Sequence, residues 1–249
     1  MCTTCGCGEP DLSTETVAHH HHRPDARRIR VERSILEEND RQAEALRKSL
    51  AERGIEAIGL LGGPGAGKTT LLEATLARLG PEAASQAAVE GDCAGDRDAR
   101  RVAARGARVV QVVTGAVCHL DAHLVGHALE DLDLAGVTRL WIENVGNLVC
   151  PAPFACGETR RVVLVSTAEG DDKPEKYPAM IAAADLLVIT KIDLLPHVDF
   201  DPDRCTAAAR IVRPDLSVIR LSARTGEGMD AWLRWLGEWP REGPGEGRA

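Results

Sequence analysis

The sequence predicts an α/β fold: a mainly parallel sheet flanked by helices, behind a flexible tail rich in cysteine and histidine. Three observations predict it. From residue 55 onward, short apolar runs alternate with helical patterns, which gives parallel strands covered on both faces. The loop 62-GGPGAGKTT-70 stands between the first apolar run and a helix. Residues 1–28 contain three cysteines, four consecutive histidines, Pro10 and Pro24, and almost no apolar residues, so they cannot bury a core.

In chain order, residues 1–28 read as the flexible tail. Residues 29–53 carry dispersed charges around a weak apolar stripe that includes Ile35, Leu46 and Leu50; Gly54 then serves as a C-cap, which predicts a helix. IEAIGLL from Ile55 predicts a buried strand, and TTLLEATLARL after the glycine loop a helix. Further strands are expected near 87–90, 107–113, 138–143, 162–167, 185–190 and 216–221, with helical patterns between most of them. A single domain from 29 to 240 results, and PREGPGEGRA places a disordered tail at 241–249.

Composition narrows the function. Apolar residues make up 44% and aromatics 3%, so Leu, Val, Ile and Ala build the core. A net charge of −8 argues against general nucleic-acid or anionic-membrane binding. There is no long apolar span and no signal-peptide pattern at the start, which points to a cytoplasmic protein. In that compartment eight cysteines are thiols or metal ligands rather than disulfides.

The loop at 62–70 fits G-x-x-x-x-G-K-[ST] through Gly62, Gly67, Lys68 and Thr69, in the strand–loop–helix context that the motif needs. Its glycines, with Gly63, Gly65 and the neighbouring Ala66 and Thr70, let backbone N–H groups converge on phosphate oxygens at a helix N-terminus. Lys68 supplies a point charge at the outer phosphates, and the Thr69 hydroxyl can ligate Mg²⁺. Two further segments, 190-TKID-193 and 222-SARTGEG-228, resemble the guanine-reading motifs of GTPases. In that resemblance Asp193 accepts from guanine N1 and N2, Lys191 packs over the ring, and the Ser222–Ala223 backbone contacts O6. Thr190 stands where the commoner pattern has Asn, which leaves one buttressing contact open.

Catalytic carboxylates are less sharply marked. Glu143 and Gly146 lie where GTPases have Asp-x-x-Gly, so Glu143 can hold Mg²⁺ through water and the Gly146 N–H can meet the γ-phosphate. Asp92 follows a strand end as a second magnesium or water-positioning carboxylate. Asp96 and Asp98 compete with it, although charge at a helix N-terminus also explains them. No glutamine is placed to position water, so slow intrinsic hydrolysis of GTP to GDP is expected.

Thiols and imidazoles form the other constellation. Cys2, Cys5 and Cys7 bring three thiolates together in CTTCGCG; they need a further ligand to complete a zinc or nickel site. The run His19 to His22 binds divalent ions loosely. Cys118 and His119 lie in a loop after a strand, and Cys150 follows Gly146 by four positions. In an open parallel sheet both loops emerge where ligands collect. His123 and His127 continue from His119 at helical spacing and read as a solvated face. Cys93, Cys156 and Cys205 read as small buried or incidental residues.

TGAVCHLDA, WIENVGNLVCPAPF, EGDDKPEKYP and LSARTGEG, with the N-terminal CxxCGC, closely resemble the HypB family of hydrogenase nickel-incorporation GTPases over about residues 29–239. The resemblance implies a SIMIBI-type G domain that dimerises with GTP and, with a HypA-type nickel chaperone, inserts nickel into the [NiFe]-hydrogenase large-subunit precursor. It makes Cys118, His119 and Cys150 a nickel or zinc site near the dimer interface, and Cys2, Cys5 and Cys7 a tighter one. The related urease-type delivery GTPases carry Cys-Pro-His instead of Cys118–His119 and are a lesser match. A nickel-storage protein with a vestigial nucleotide domain is a further alternative, disfavoured by intact Lys68, Thr69 and Asp193. Because Cys150 trails Gly146 so closely, nucleotide state and metal affinity are expected to be coupled.

Overall fold

The computed structural model describes residues 26–115 and 117–237, with side chains from Arg33 onward. The motif at Cys2, Cys5 and Cys7, the histidine run and residues 241–249 lie outside the described residues.

Helix α1, Ala26–Glu52, begins a few residues before the sequence pattern suggests, and strand β1, Glu56–Gly62, follows it. Then come α2 (Lys68–Leu79), β2 (Gln86–Asp92), α3 (Arg97–Ala103) and β3 (Arg108–Val113). Helix α4 (Ala122–Glu130) leads to β4 (Arg139–Glu143) and, with no helix between, to β5 (Arg160–Ser166). The short helices α5 (Lys173–Lys176) and α6 (Pro178–Ala182) precede β6 (Leu186–Thr190). Helix α7 (Pro202–Val212), β7 (Ser217–Arg220) and α8 (Met229–Gly237) finish the described chain. All seven expected strands form, in the order β3-β2-β4-β1-β5-β6-β7, and every pairing is parallel.

The apolar runs explain the layering. A strand buried on both faces must be apolar at every position, not at alternate ones. β6, LLVIT, and the valine and leucine positions of β5 are of this kind and are sealed from solvent. One face packs beneath α2 and α8, around Leu72, Trp141 and Trp232. The Trp232 indole N–H donates to the Thr75 hydroxyl at 2.8 Å, so its polar atom is satisfied inside the core. The other face is covered by α1 and α4 near β4 and by α6 and α7 near β6.

Helix α1 is tied to the loop that follows β4. Asn39 donates to the Ala155 carbonyl and accepts from the Ala122 N–H, both at 3.0 Å. Gly157, at φ 88°, lets Leu46 approach so closely that a Cβ there would lie 2.8 Å from the Leu46 Cβ.

The carboxyl ends of the strands converge on one edge of the sheet. From that edge emerge the phosphate loop after β1, the Asp92 turn after β2 and the Cys118 loop after β3. The Gly146–Cys150 segment after β4, Lys191 after β6 and Ser222 after β7 join them. Ligands of open parallel sheets bind at this edge.

Candidate functional site

The phosphate loop owes its shape to Gly67, whose φ of 96° opens α2 at Lys68 and leaves the first helical N–H groups free to face an anion. Lys68 is buried and folds back so that its Nζ donates to the carbonyls of Gly62 and Gly63, at 3.3 and 3.4 Å. A cleft of about 590 Å³, within the size range of small-molecule sites, is lined by Gly65, Gly67, Lys68, Thr69, Thr70, Asp92, Asp98, Glu143 and Gly146. Gly146 presses on the loop from the opposite side: a Cβ there would sit 2.9 Å from the Pro64 Cα.

The expected carboxylates separate into distinct roles. Glu143 is buried and accepts the Thr69 hydroxyl at 2.7 Å. Asp92 and Asp98 border the cleft, whereas Asp96 pairs outside it with Arg100. Sequence reasoning missed Glu90. It lies directly opposite Glu143 in the β2–β4 register and is 3% exposed. Burial first, and the neighbouring Glu143 second, raise its pKa well above the ordinary carboxylate range. Burial likewise raises Glu143, against the opposing pull of Lys68. Glu90 Oε1 and Glu143 Oε2 are buried with no hydrogen-bond partner among the described residues. Such orphaned oxygens, with the Thr69 hydroxyl on Glu143, suit a divalent cation, and Asp92 lines the same cleft without joining them in a ready cage.

An adjoining cavity of about 260 Å³ is lined by Thr190, Lys191, Asp193, Leu194, Ser222 and Ala223, the residues expected to read a base. The contact left open at Thr190 is made: its hydroxyl donates to the Ala66 carbonyl at 2.6 Å. Lys191 adopts φ 59° and its Nζ donates to the Gly65 carbonyl at 2.6 Å, which fastens the base-side turn to the phosphate loop.

At the rim, Cys118 and Cys150 come together. The neighbouring Cys150 thiol pushes the Cys118 pKa up. Cys118 Sγ lies 3.8 Å from His119 Nδ1. His119 stacks on Phe154, ring centroids 4.3 Å apart, and burial lowers its pKa, which favours the neutral imidazole that ligates metals. Among the described residues no three His, Cys, Asp or Glu side chains form a ready metal cage. His123 and His127 are exposed on α4, the solvated face expected of them, and His119 does not share it. Helix α4 starts only at Ala122, where Asp121 accepts from the Leu124 N–H, so His119 belongs to the loop. His123 and His127 pack edge to face with each other instead. Cys156 and Cys205 are buried, as expected of structural thiols, and Cys93 is exposed.

Sheet, phosphate loop and base-side cavity together define a P-loop nucleotide-binding protein. Residues 56–220 match the family described as CobW/HypB/UreG, nucleotide-binding domain. The hydrogenase maturation factor HypB of Azotobacter vinelandii is 51% identical over 211 residues, covering 85% of this chain and 69% of that protein. The crystal structure of HypB from Archaeoglobus fulgidus superposes with a TM-score of 0.74 at 40% identity, covering 80% of this chain and 97% of that one. The structure of HypB from Helicobacter pylori in complex with nickel gives a TM-score of 0.76 at 33% identity, covering 81% and 94%. The chain belongs to the HypB family of hydrogenase maturation factors. Among the described residues no helix is long and apolar enough to cross a membrane.

Proposed function

We propose that this chain is a GTP-hydrolysing nickel carrier that delivers Ni²⁺ during maturation of [NiFe]-hydrogenase, acting as a GTP-dependent homodimer with a HypA-type partner. One observation carries the reading: Cys150, the neighbour of Cys118, follows by four positions Gly146, which packs directly on the phosphate loop at Pro64. A relative solved with nickel supports the choice of metal; zinc suits the same ligands. Asp193 and the Ser222–Ala223 turn border the base-side cavity and supply the acceptor and backbone contacts suited to guanine.

Thr69, Asp92 and Glu143, with Glu90, would hold Mg²⁺, which when bound supplies charge neutralisation on the phosphates. Lys68 leaves the Gly62 and Gly63 carbonyls to reach the outer phosphates. The first N–H groups of α2 orient the phosphate chain. The Gly146 N–H marks the γ-phosphate and is drawn toward it, so that the segment ending at Cys150 shifts and the thiol pair changes geometry. The Cys118–His119–Cys150 ligands take nickel in one nucleotide state and release it in the other. Gln111 on β3 lines the cleft, a glutamine the sequence reading did not consider for positioning water.

The test is nickel titration of the full chain with GDP and with a non-hydrolysable GTP analogue, alongside phosphate release. Coupling of the usual size makes the two nickel affinities differ roughly 5–150-fold. Cys150→Ala removes that difference while nucleotide still binds. Equal affinities in the unmodified chain overturn the carrier reading, and absent phosphate release overturns the enzymatic one.

A further inference from the structure

We infer that two asparagines flanking Gly146 form the physical link between nucleotide and thiols, with Asn147 as the positioning residue that sets Cys150 against Cys118. The inference rests on the reading of Cys118 and Cys150 as nickel ligands and names the part that makes them answer to nucleotide.

Asn147 touches both sites at once. Its backbone N–H donates to the Gly62 carbonyl at 3.0 Å, forming an antiparallel bridge to the last residue of β1. The Gly62 carbonyl is also one of the two that hold Lys68. Departure of Lys68 toward a phosphate therefore changes the charge on an oxygen that Asn147 binds. The Asn147 side chain points the other way. Its Oδ1 accepts from the N–H groups of Val149 at 2.8 Å and Cys150 at 3.3 Å, an Asx-type turn that fixes where the Cys150 thiol emerges. Its Nδ2 donates to the Cys118 carbonyl at 3.5 Å, a long contact that yields readily.

Asn144 is the fixed end. It is 2% exposed, and its N–H donates to the Leu60 carbonyl at 3.0 Å inside the sheet. Its Oδ1 accepts from the Leu120 N–H at 2.8 Å and the Val145 N–H at 2.9 Å, while Nδ2 reaches the Leu120 carbonyl at 3.4 Å. One end of the Cys118–Leu120 loop is thus held by a buried, fully used asparagine and the other by a partly exposed one. Gly146 lies between them against Pro64. A displacement at the phosphate loop moves Asn147 relative to Asn144, and the two sulfurs shift with it.

The experiment uses the full chain with Asn147→Ala and Asn147→Asp. Nickel affinity is measured with GDP and with a non-hydrolysable GTP analogue, and the nickel–thiolate absorption band is followed as nucleotide is added. Asn147→Ala is expected to bind nickel equally in both nucleotide states, with a band that no longer responds, whereas the unmodified chain shows the roughly 5–150-fold difference. Asn147→Asp keeps the acceptor for Val149 and Cys150 but sets a charged acceptor against the Cys118 carbonyl in place of the donor, so it is expected to fall between the two. If Asn147→Ala keeps the full nucleotide dependence, the link is wrong although the carrier reading stands. If the unmodified chain shows no dependence, the carrier reading fails first and the link with it. Thermal unfolding shows whether each variant folds; should the alanine variant not fold, the aspartate variant decides, since an unchanged ratio there rejects the contact to Cys118.

Discussion

The Thr69 hydroxyl and the Glu143 carboxylate, 74 positions apart in the chain, are joined by a 2.7 Å hydrogen bond at the mouth of the phosphate loop. A bound cation would draw both groups to itself. Glu143→Gln keeps the acceptor oxygen and removes the charge. Nucleotide binding to this variant is expected to need more magnesium, by about 1.5–3 kcal/mol or roughly 10–150-fold. Titration of nucleotide affinity against magnesium checks it, and an unchanged requirement would remove Glu143 from the cation site.

Glu90 makes the nucleotide-free protein sensitive to pH. Its pKa is higher in the folded chain than in the unfolded one, so the native state holds the proton over a range where the unfolded state has lost it. Stability then falls as pH rises from the ordinary carboxylate value, about 4.3, through the raised value, and levels off above it. Glu90→Gln removes that fall. Without nucleotide and magnesium, the variant should unfold at a higher temperature than the parent near pH 8, with the gap closing toward about pH 4. A gap that is constant across the range would show that Glu90 ionises freely.

On the proposed guanine reading, base choice depends on Asp193, which lines the base-side cavity. Asp193→Asn would then replace an acceptor facing guanine N1 and N2 with a group that also donates, leaving a pair unmatched. GTP affinity should drop by about 1–3 kcal/mol, with a smaller effect on xanthosine triphosphate, whose altered base offers an acceptor there. Competition between the two nucleotides measures the shift.

The closing helix is a matter of stability alone. Trp232 is fully buried and stacks near Trp235, ring centroids 5.5 Å apart, while its N–H is held by Thr75. Trp232→Ala should cost about 3–5 kcal/mol, which in a chain of this size lowers the melting temperature by roughly 10 °C. Thermal unfolding followed by circular dichroism tests this.

The sheet was legible because its strands are apolar runs bounded by glycines and charges, and the phosphate loop because its residues are contiguous. The base-side turn was legible for the same reason. Glu90 escaped because a carboxylate in mid-strand carries no motif; its meaning comes from standing opposite Glu143, and strand register is not written in either segment. Asn144 and Asn147 were not legible because their partners Leu120 and Cys118 lie more than twenty positions away in the chain. His119 in the loop and His123 and His127 on an exposed helix face were legible because Asp121 marks the cap and the spacing of the two histidines is helical.

Every residue of β5 and of β6 is shut away from solvent. A close-packed interior of this kind resists deformation, so these strands form a stiff frame that cannot follow the nucleotide cycle. Amide hydrogens in 160–166 and 186–190 should exchange equally slowly with either nucleotide bound, while those in 114–121 and 144–150 change rate. On the proposed function, the thiol-bearing loops would answer to nucleotide at the edge of a body that does not.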